Sequence, residues 1–128
     1  MTQITQSPPL LSTLEDYLKL TTTREQAISA NMANVDTPGY HTRDINFQSE
    51  LQKAISEDQN QEGTSNASLQ SSPRFQEVSG LMERPDGNNV SLDREGLLLS
   101  ETQLQYQMGI QLIKSQFHGL LSAISGGS

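Results

Sequence analysis

Apolar residues recur at helical spacing in two long stretches, one near each end of the chain. In the first, Leu11, Leu14, Leu18, Thr21, Ile28, Met32 and Val35 fall on one seam of a seven-residue repeat, interrupted by Glu25. The pattern predicts a helix from about Pro9 to Asn34, with Ser7 as N-cap and Pro8 in the first turn. It fits either a helix packed side by side with another or an ordinary amphipathic surface helix. In the second stretch, Tyr106, Ile110, Ile113, Phe117, Leu120 and Ile124 step by four, three, four, three and four. Leu104, Met108, Leu112 and Leu121 broaden this apolar face, wide enough to meet more than one neighbour. A second helix is predicted over Leu92 to Ile124, capped by Ser91, with Asp93 and Glu95 at the positive end of its dipole. About 30 residues of helix would reach ~45 Å. A lone hairpin of two such helices leaves its outer apolar residues wet, so the pattern asks for partners.

The intervening residues have a different texture. Ile45 and Phe47 alternate with polar neighbours, predicting a partly extended segment from Tyr40 to Leu51. Arg74 to Val78 is a second, weaker strand candidate that could pair with it. Between them, residues 57–73 are rich in Gln, Asn, Ser, Gly and Glu, with Leu69 the only large apolar residue, and read as a linker. Arg84-Pro85-Asp86-Gly87 reads as a turn. The expected organisation is mainly α: a helix in 1–35, a partly extended, flexible middle in 36–90, and a helix in 91–128.

Composition sharpens this. The chain has 128 residues and only 33% hydrophobic ones, with a net charge of -7. Its mean hydropathy is -0.55. Few large apolar groups are available to offset conformational entropy in a private core. Residues 36–90 hold nine of the acidic and four of the basic side chains, so most of the charge imbalance lies in the middle. No clustered basic surface exists for nucleic acid. No window approaches the ~20 apolar residues of a membrane span. The first residues have neither a basic nor an apolar signal-like region, so no cleaved signal peptide is expected. The absence of cysteine excludes disulfides and thiolate metal sites.

Candidate chemistry is sparse. His41 and His118 have no i+4 histidine and no ligand set, and read as surface residues. The pairs Glu15-Asp16 and Glu57-Asp58 read as solvated charge. The stretch from Asp86 fails as a calcium loop, because Val90, Ser91 and Leu97 stand at its fifth, sixth and twelfth positions. No phosphate loop or nucleophile elbow occurs. No catalytic residue, metal or cofactor is expected.

The most informative stretch is Ala30-Asn31-Met32-Ala33-Asn34-Val35-Asp36-Thr37-Pro38-Gly39-Tyr40. It joins the end of the first helix to a stop. Asn31 and Asn34 lie three apart on one helical face. Pro38 disfavours helix at Thr37, Gly39 permits positive φ, and Tyr40 offers an aromatic anchor. From the residues alone, the two asparagines also read simply as helix-end residues.

This stretch resembles the N-terminal signature of bacterial flagellar axial proteins, the rod and hook family. The block Asp86-Gly87-Asn88-Asn89-Val90-Ser91-Leu92-Asp93-Arg94-Glu95 resembles the start of the C-terminal helix in the proximal-rod branch known as the rod protein B family. The resemblance covers roughly residues 8–47 and 82–125. It implies a non-enzymatic subunit of the basal-body rod whose terminal helices form a coiled-coil hairpin lining a channel. Leu11, Leu14, Leu18, Ile28 and Met32, with Tyr106, Ile110, Ile113, Phe117, Leu120 and Ile124, would be its assembly interface. It implies as partners other rod subunits, copies of itself, and membrane-ring adaptor and export-gate proteins at the rod base. It also implies a periplasmic location reached from the cytoplasm by flagellar export, without signal cleavage. Where the family usually continues with Met after Arg94-Glu95, this chain has Gly96-Leu97, predicting an irregular helix start. Other readings are a different axial subunit, or a soluble coiled-coil adaptor or chaperone.

Overall fold

A computed structural model describes residues 9–60 and 72–126. The expected Ser7 and Pro8 cap, and most of the polar 57–73 stretch, lie outside the described residues. In chain order the elements are helix α1 (Pro9–Ala33), strand β1 (Arg43–Ile45), helix α2 (Phe47–Asn60), strand β2 (Phe75–Glu77) and helix α3 (Leu92–Ser125). The molecule is mainly helical, and its two longest helices stand near the two ends of the chain. At 1.5 Å per residue, α3 is ~51 Å long.

Helix α1 packs along α3 on lines of residues spaced by seven. Leu14 and Ile28 with the Thr21 between them are buried on α1, and Glu95, Thr102 and Gly109 are buried on α3. Closest approach is at Gly109, where an added Cβ would stand 2.8 Å from Leu18 Cδ2 and 3.2 Å from Tyr17 Cδ1. The absence of a side chain is what lets the helices meet there. Gly96 leaves α3 unbroken, contrary to the irregular start that its sequence predicts. Ser91 is the cap, its hydroxyl accepting from the Arg94 N–H at 3.3 Å.

The middle departs most from expectation. The extended segment stops at Ile45, and Phe47 begins a helix instead of continuing a strand. The cause is Asn46, whose side-chain oxygen accepts from the Ser49 N–H at 3.2 Å while its carbonyl accepts from the Glu50 N–H at 2.9 Å. Phe47 then packs edge-on against Tyr17 of α1, ring centroids 5.4 Å apart. The two short strands do pair, antiparallel, with Asp44 opposite Gln76 and Ile45 opposite Phe75. Ile45 is buried against the helices, and an ion pair of 3.1 Å joins Arg24 of α1 to Asp44.

Candidate functional site: the junction and the exposed face of α3

The sequence block after α1 and the block before α3 lie some fifty residues apart and dock on each other. Helix α1 ends in successive turns, with Thr37 N–H on the Asn34 carbonyl (3.0 Å) and Tyr40 N–H on the Thr37 carbonyl (3.2 Å). Gly39 then takes φ +76°. Arg84 to Asn88 closes a second turn, with Gly87 N–H on the Arg84 carbonyl at 2.9 Å and Gly87 at φ +84°. The two glycines touch: Gly39 N–H donates to the Asp86 carbonyl at 2.9 Å, and a Cβ on Gly87 would stand 3.3 Å from Gly39 Cα. Each block therefore needs its glycine for its own turn, and Gly87 needs it also for this approach.

Three asparagines join the blocks. Asn88 is buried; its amide donates to the carbonyls of Asn34 and Thr37, both at 2.9 Å, and its oxygen accepts from the Val90 N–H at 2.8 Å. Two carbonyls just past the end of α1, each already accepting a turn N–H, thus receive a second donor from the other block. Arg84 also reaches the Val35 carbonyl. Asn89 Oδ1 accepts from the Thr42 N–H at 2.6 Å, and its N–H donates to the Tyr40 carbonyl at 3.3 Å.

Asn31 is the hub. Its Nδ2 donates to the Arg43 carbonyl (2.8 Å) and to Glu95 Oε2 (3.1 Å). Its Oδ1 accepts from the Arg43 N–H and the Tyr40 hydroxyl, both at 3.0 Å. One side-chain amide thus serves both backbone groups of Arg43, as a neighbouring strand would, and ties α1, β1 and α3 together. Glu95 has no exposure; Arg94 Nη1 donates to its other oxygen at 2.8 Å. The sequence places Glu95 correctly at the helix start but carries no signal that it is buried against Asn31.

Asn34, although three residues from Asn31, does something different. It is half-buried and turns back on its own helix end, donating to the Ala30 carbonyl at 2.7 Å and accepting from the Thr37 hydroxyl at 3.1 Å. Asp36, Thr37, Pro38 and Gly39 are exposed, while Tyr40 is half-buried. In the second block Val90 is buried beside Asn88, whereas Asp86, Leu92 and Asp93 are exposed.

The expected interface residues separate into two groups. Leu14 and Ile28 are buried within the chain, and Leu11, Leu18, Met32, Ile110 and Ile113 are half-buried. Tyr106, Phe117, Leu120 and Ile124 are exposed, Ile124 to 81%. So are Leu104, Met108 and Leu112. At 3.6 residues per turn, Met108 lies about 160° around the helix axis from Tyr106, so apolar groups flank the α1 contact on both sides. Sequence periodicity cannot find the contact line itself, because Thr102 and Gly109 are not apolar.

One sequence reading needs correction and one gains detail. His41 stands at the surface, as expected, with its Nδ1 3.4 Å from Glu77 Oε2 and its Nε2 3.2 Å from Glu83 Oε1. Asp16 and Asp58 are not separate solvated charges: α2 brings them together against α1, where Asp58 also accepts from the Ser12 hydroxyl at 2.7 Å. Among the described residues no cluster of three or more His, Asp or Glu is arranged to hold a metal, and no helix is long and apolar enough to cross a membrane.

Comparison with known proteins is consistent along nearly the whole chain. It is 36% identical over 126 residues to the flagellar basal body rod protein FlgB of Salmonella typhimurium, covering 89% of this chain and 91% of that protein. Identity to FlgB of Escherichia coli is 30% over 126 residues, covering 89% of this chain and 91% of that protein. FlgB of Yersinia ruckeri is 30% identical over 125 residues, with 88% and 91% covered. No family model matches the chain.

Proposed function

Because the chain belongs to the family of the flagellar basal body rod protein FlgB, we propose that it acts by packing α1 and the exposed apolar flanks of α3 side by side with other subunits. It is a structural subunit of the proximal rod of the flagellar basal body, not an enzyme. It assembles with other flagellar proteins. Within that role, α1 and α3 act as a coiled-coil hairpin, and the hairpins of successive subunits line a channel and carry torque. Repeated heterologous contacts of this kind generate an open helical tube, as rod building requires. Neighbours are copies of this chain, other rod subunits, and ring-adaptor and export-gate proteins at the base. Delivery to the periplasmic rod is by export without signal cleavage.

One observation carries this reading: a ~51 Å helix is fixed at its start by the junction and keeps large apolar side chains exposed on both flanks toward its far end. Exposed groups of that number and size signal a partner surface. A photo-cross-linking residue placed at Leu112, and separately at Phe117, in cells that build basal bodies tests it. Both flanks should yield adducts with this chain or other rod subunits in purified basal bodies. Adducts absent from both positions in assembled basal bodies would refute the proposed packing.

A further inference from the structure

Among the contacts that hold the middle segment in place, one to α1 and one within the segment itself are chemically incomplete without an added proton. The first joins α2 to α1. Asp16 Oδ2 is buried with no donor among the described residues, and the group it faces is another carboxylate, Asp58. Asp58 takes the one nearby hydroxyl, that of Ser12. Two carboxylates in such contact form a hydrogen bond only if one is protonated. Glu15 and Lys19 on α1, and Glu50, Lys53 and Glu57 on α2, are the other charges around the pair. Lys19 opposes the effect and Glu15 adds to it; burial and Asp58 outweigh both, raising the Asp16 carboxyl from 3.8 to about 7. Asp58 is held below its ordinary value by its hydrogen bond with Asp16, so the shared proton resides on Asp16.

The second contact joins the chain just after the α1 exit to β2 and to the loop beyond it. Both ring nitrogens of His41 face carboxylate oxygens, Glu77 on β2 and Glu83 in the loop. A neutral imidazole has one donor, whereas two acceptors need two. Hydrogen bonds that the ring donates to Glu83 and Glu77 accordingly push His41 above its ordinary 6.5.

We propose that two proton-dependent clasps, Asp16–Asp58 between α1 and α2 and Glu77–His41–Glu83 between the α1 exit and β2 with its following loop, add to the packing of the middle segment, so that this segment loosens as pH rises. Both signs agree. Asp16 binds its proton more tightly when folded, so its contribution is full below about 3.8 and is lost as pH climbs to about 7. His41 contributes fully below 6.5 and is lost as pH passes its raised folded value. Asp58 runs the other way: its contribution is present above its ordinary value of 3.8 and is lost as pH falls through its lowered one, outside the window in which Asp16 and His41 act. Release is therefore confined to the middle segment, and the inference does not depend on the rod reading.

The test is a titration of the full-length chain, following aspartate carboxyl carbons and the His41 ring by NMR, with amide protection corrected for intrinsic exchange. One aspartate should titrate near 7 and His41 above 6.5. Between pH 5.5 and 8.5, α2 protection should fall about tenfold or more, the effect of one pKa unit, while α3 near Gly109 stays constant. Asp58→Asn supplies an amide donor without a proton, and should flatten the α2 response and return Asp16 toward 3.8. Glu83→Gln should lower the His41 midpoint. If every aspartate titrates near 4 and His41 at or below 6.5, or if α2 protection does not change with pH, the clasps do not exist.

Discussion

Replacing Asn31 by Asp exchanges one atom and asks whether the junction works as described. Asn31→Ala removes all four hydrogen bonds of the amide. Arg43 is exposed and Tyr40 half-buried, so water can serve them; Glu95 cannot be reached, but it keeps Arg94. A loss of about 2 kcal/mol follows, within the ~1–3 kcal/mol range for a buried group left short of a partner. Asn31→Asp preserves the acceptor for the Arg43 N–H and the Tyr40 hydroxyl. It places an oxygen where Nδ2 now stands, 3.1 Å from Glu95 Oε2 and 2.8 Å from the Arg43 carbonyl. Two unit charges at ~3 Å repel by about 5 kcal/mol at an effective dielectric of ~20. Uptake of a proton relieves part of this, so the variant should weaken as pH rises. At pH 7 Asn31→Asp should lose more than Asn31→Ala, by about 1–3 kcal/mol, a large share of a small domain's ~5–15 kcal/mol. Adding Glu95→Gln to Asn31→Asp restores an amide between the two positions and should recover most of the difference. Urea unfolding of the purified chain, read by far-ultraviolet circular dichroism at pH 5.5 and 7, measures all four. Asn31→Asp as stable as the parent at pH 7, or milder than Asn31→Ala, would refute the hub.

Other substitutions test the rest of the frame. Gly109→Val should cost about 1–3 kcal/mol, because the Tyr17 ring beside it is already seated on Phe47; Gly109→Ala presses its Cβ on Leu18 and Tyr17 but gains up to ~1 kcal/mol of helix propensity, and should cost less than Val. Equal effects in thermal melts would show that the helices do not meet there. Gly39→Ala pays only the left-handed backbone penalty of ~1–2 kcal/mol, having nothing within 4 Å, whereas Gly87→Ala adds a contact with Gly39 and should be the worse of the two. The reverse order in unfolding midpoints would contradict the docking of the two turns.

Much of this was legible in residue order, and what was not has identifiable causes. The long helices follow from apolar spacing, and the Ser91 cap and the turn at Arg84–Gly87 from local chemistry that tertiary contacts did not override. Helix α2 was missed because Ile45 and Phe47 alternate like a strand, while one residue, Asn46, caps a helix between them. The line joining α1 to α3 was missed because Thr102 and Gly109 carry no hydrophobic signal: one approaches by a short side chain and the other by none. Asn31 and Asn88 stood out in their blocks, yet their partners lie far along the chain, and no local pattern pairs Asn31 with Glu95 or Asn88 with the end of α1. The Asp16–Asp58 pair and the two carboxylates beside His41 are hidden for the same reason, since charges look solvated until the fold sets them face to face.

If the exposed flank of α3 builds the rod, a charge at Phe117 should stop it. Phe117 is 53% exposed in the single chain, so Phe117→Asp should leave the fold intact. In an assembly it buries a charge and removes roughly 1.5–3 kcal/mol of apolar burial at every copy. The measurement is swimming, together with recovery of rods from cells expressing Phe117→Asp, with Gln111→Asp on the side of the helix opposite Gly109 as control. The expected outcome is an exported, folded protein, no completed rod and no motility, with the control swimming normally. Normal swimming by Phe117→Asp cells would contradict it.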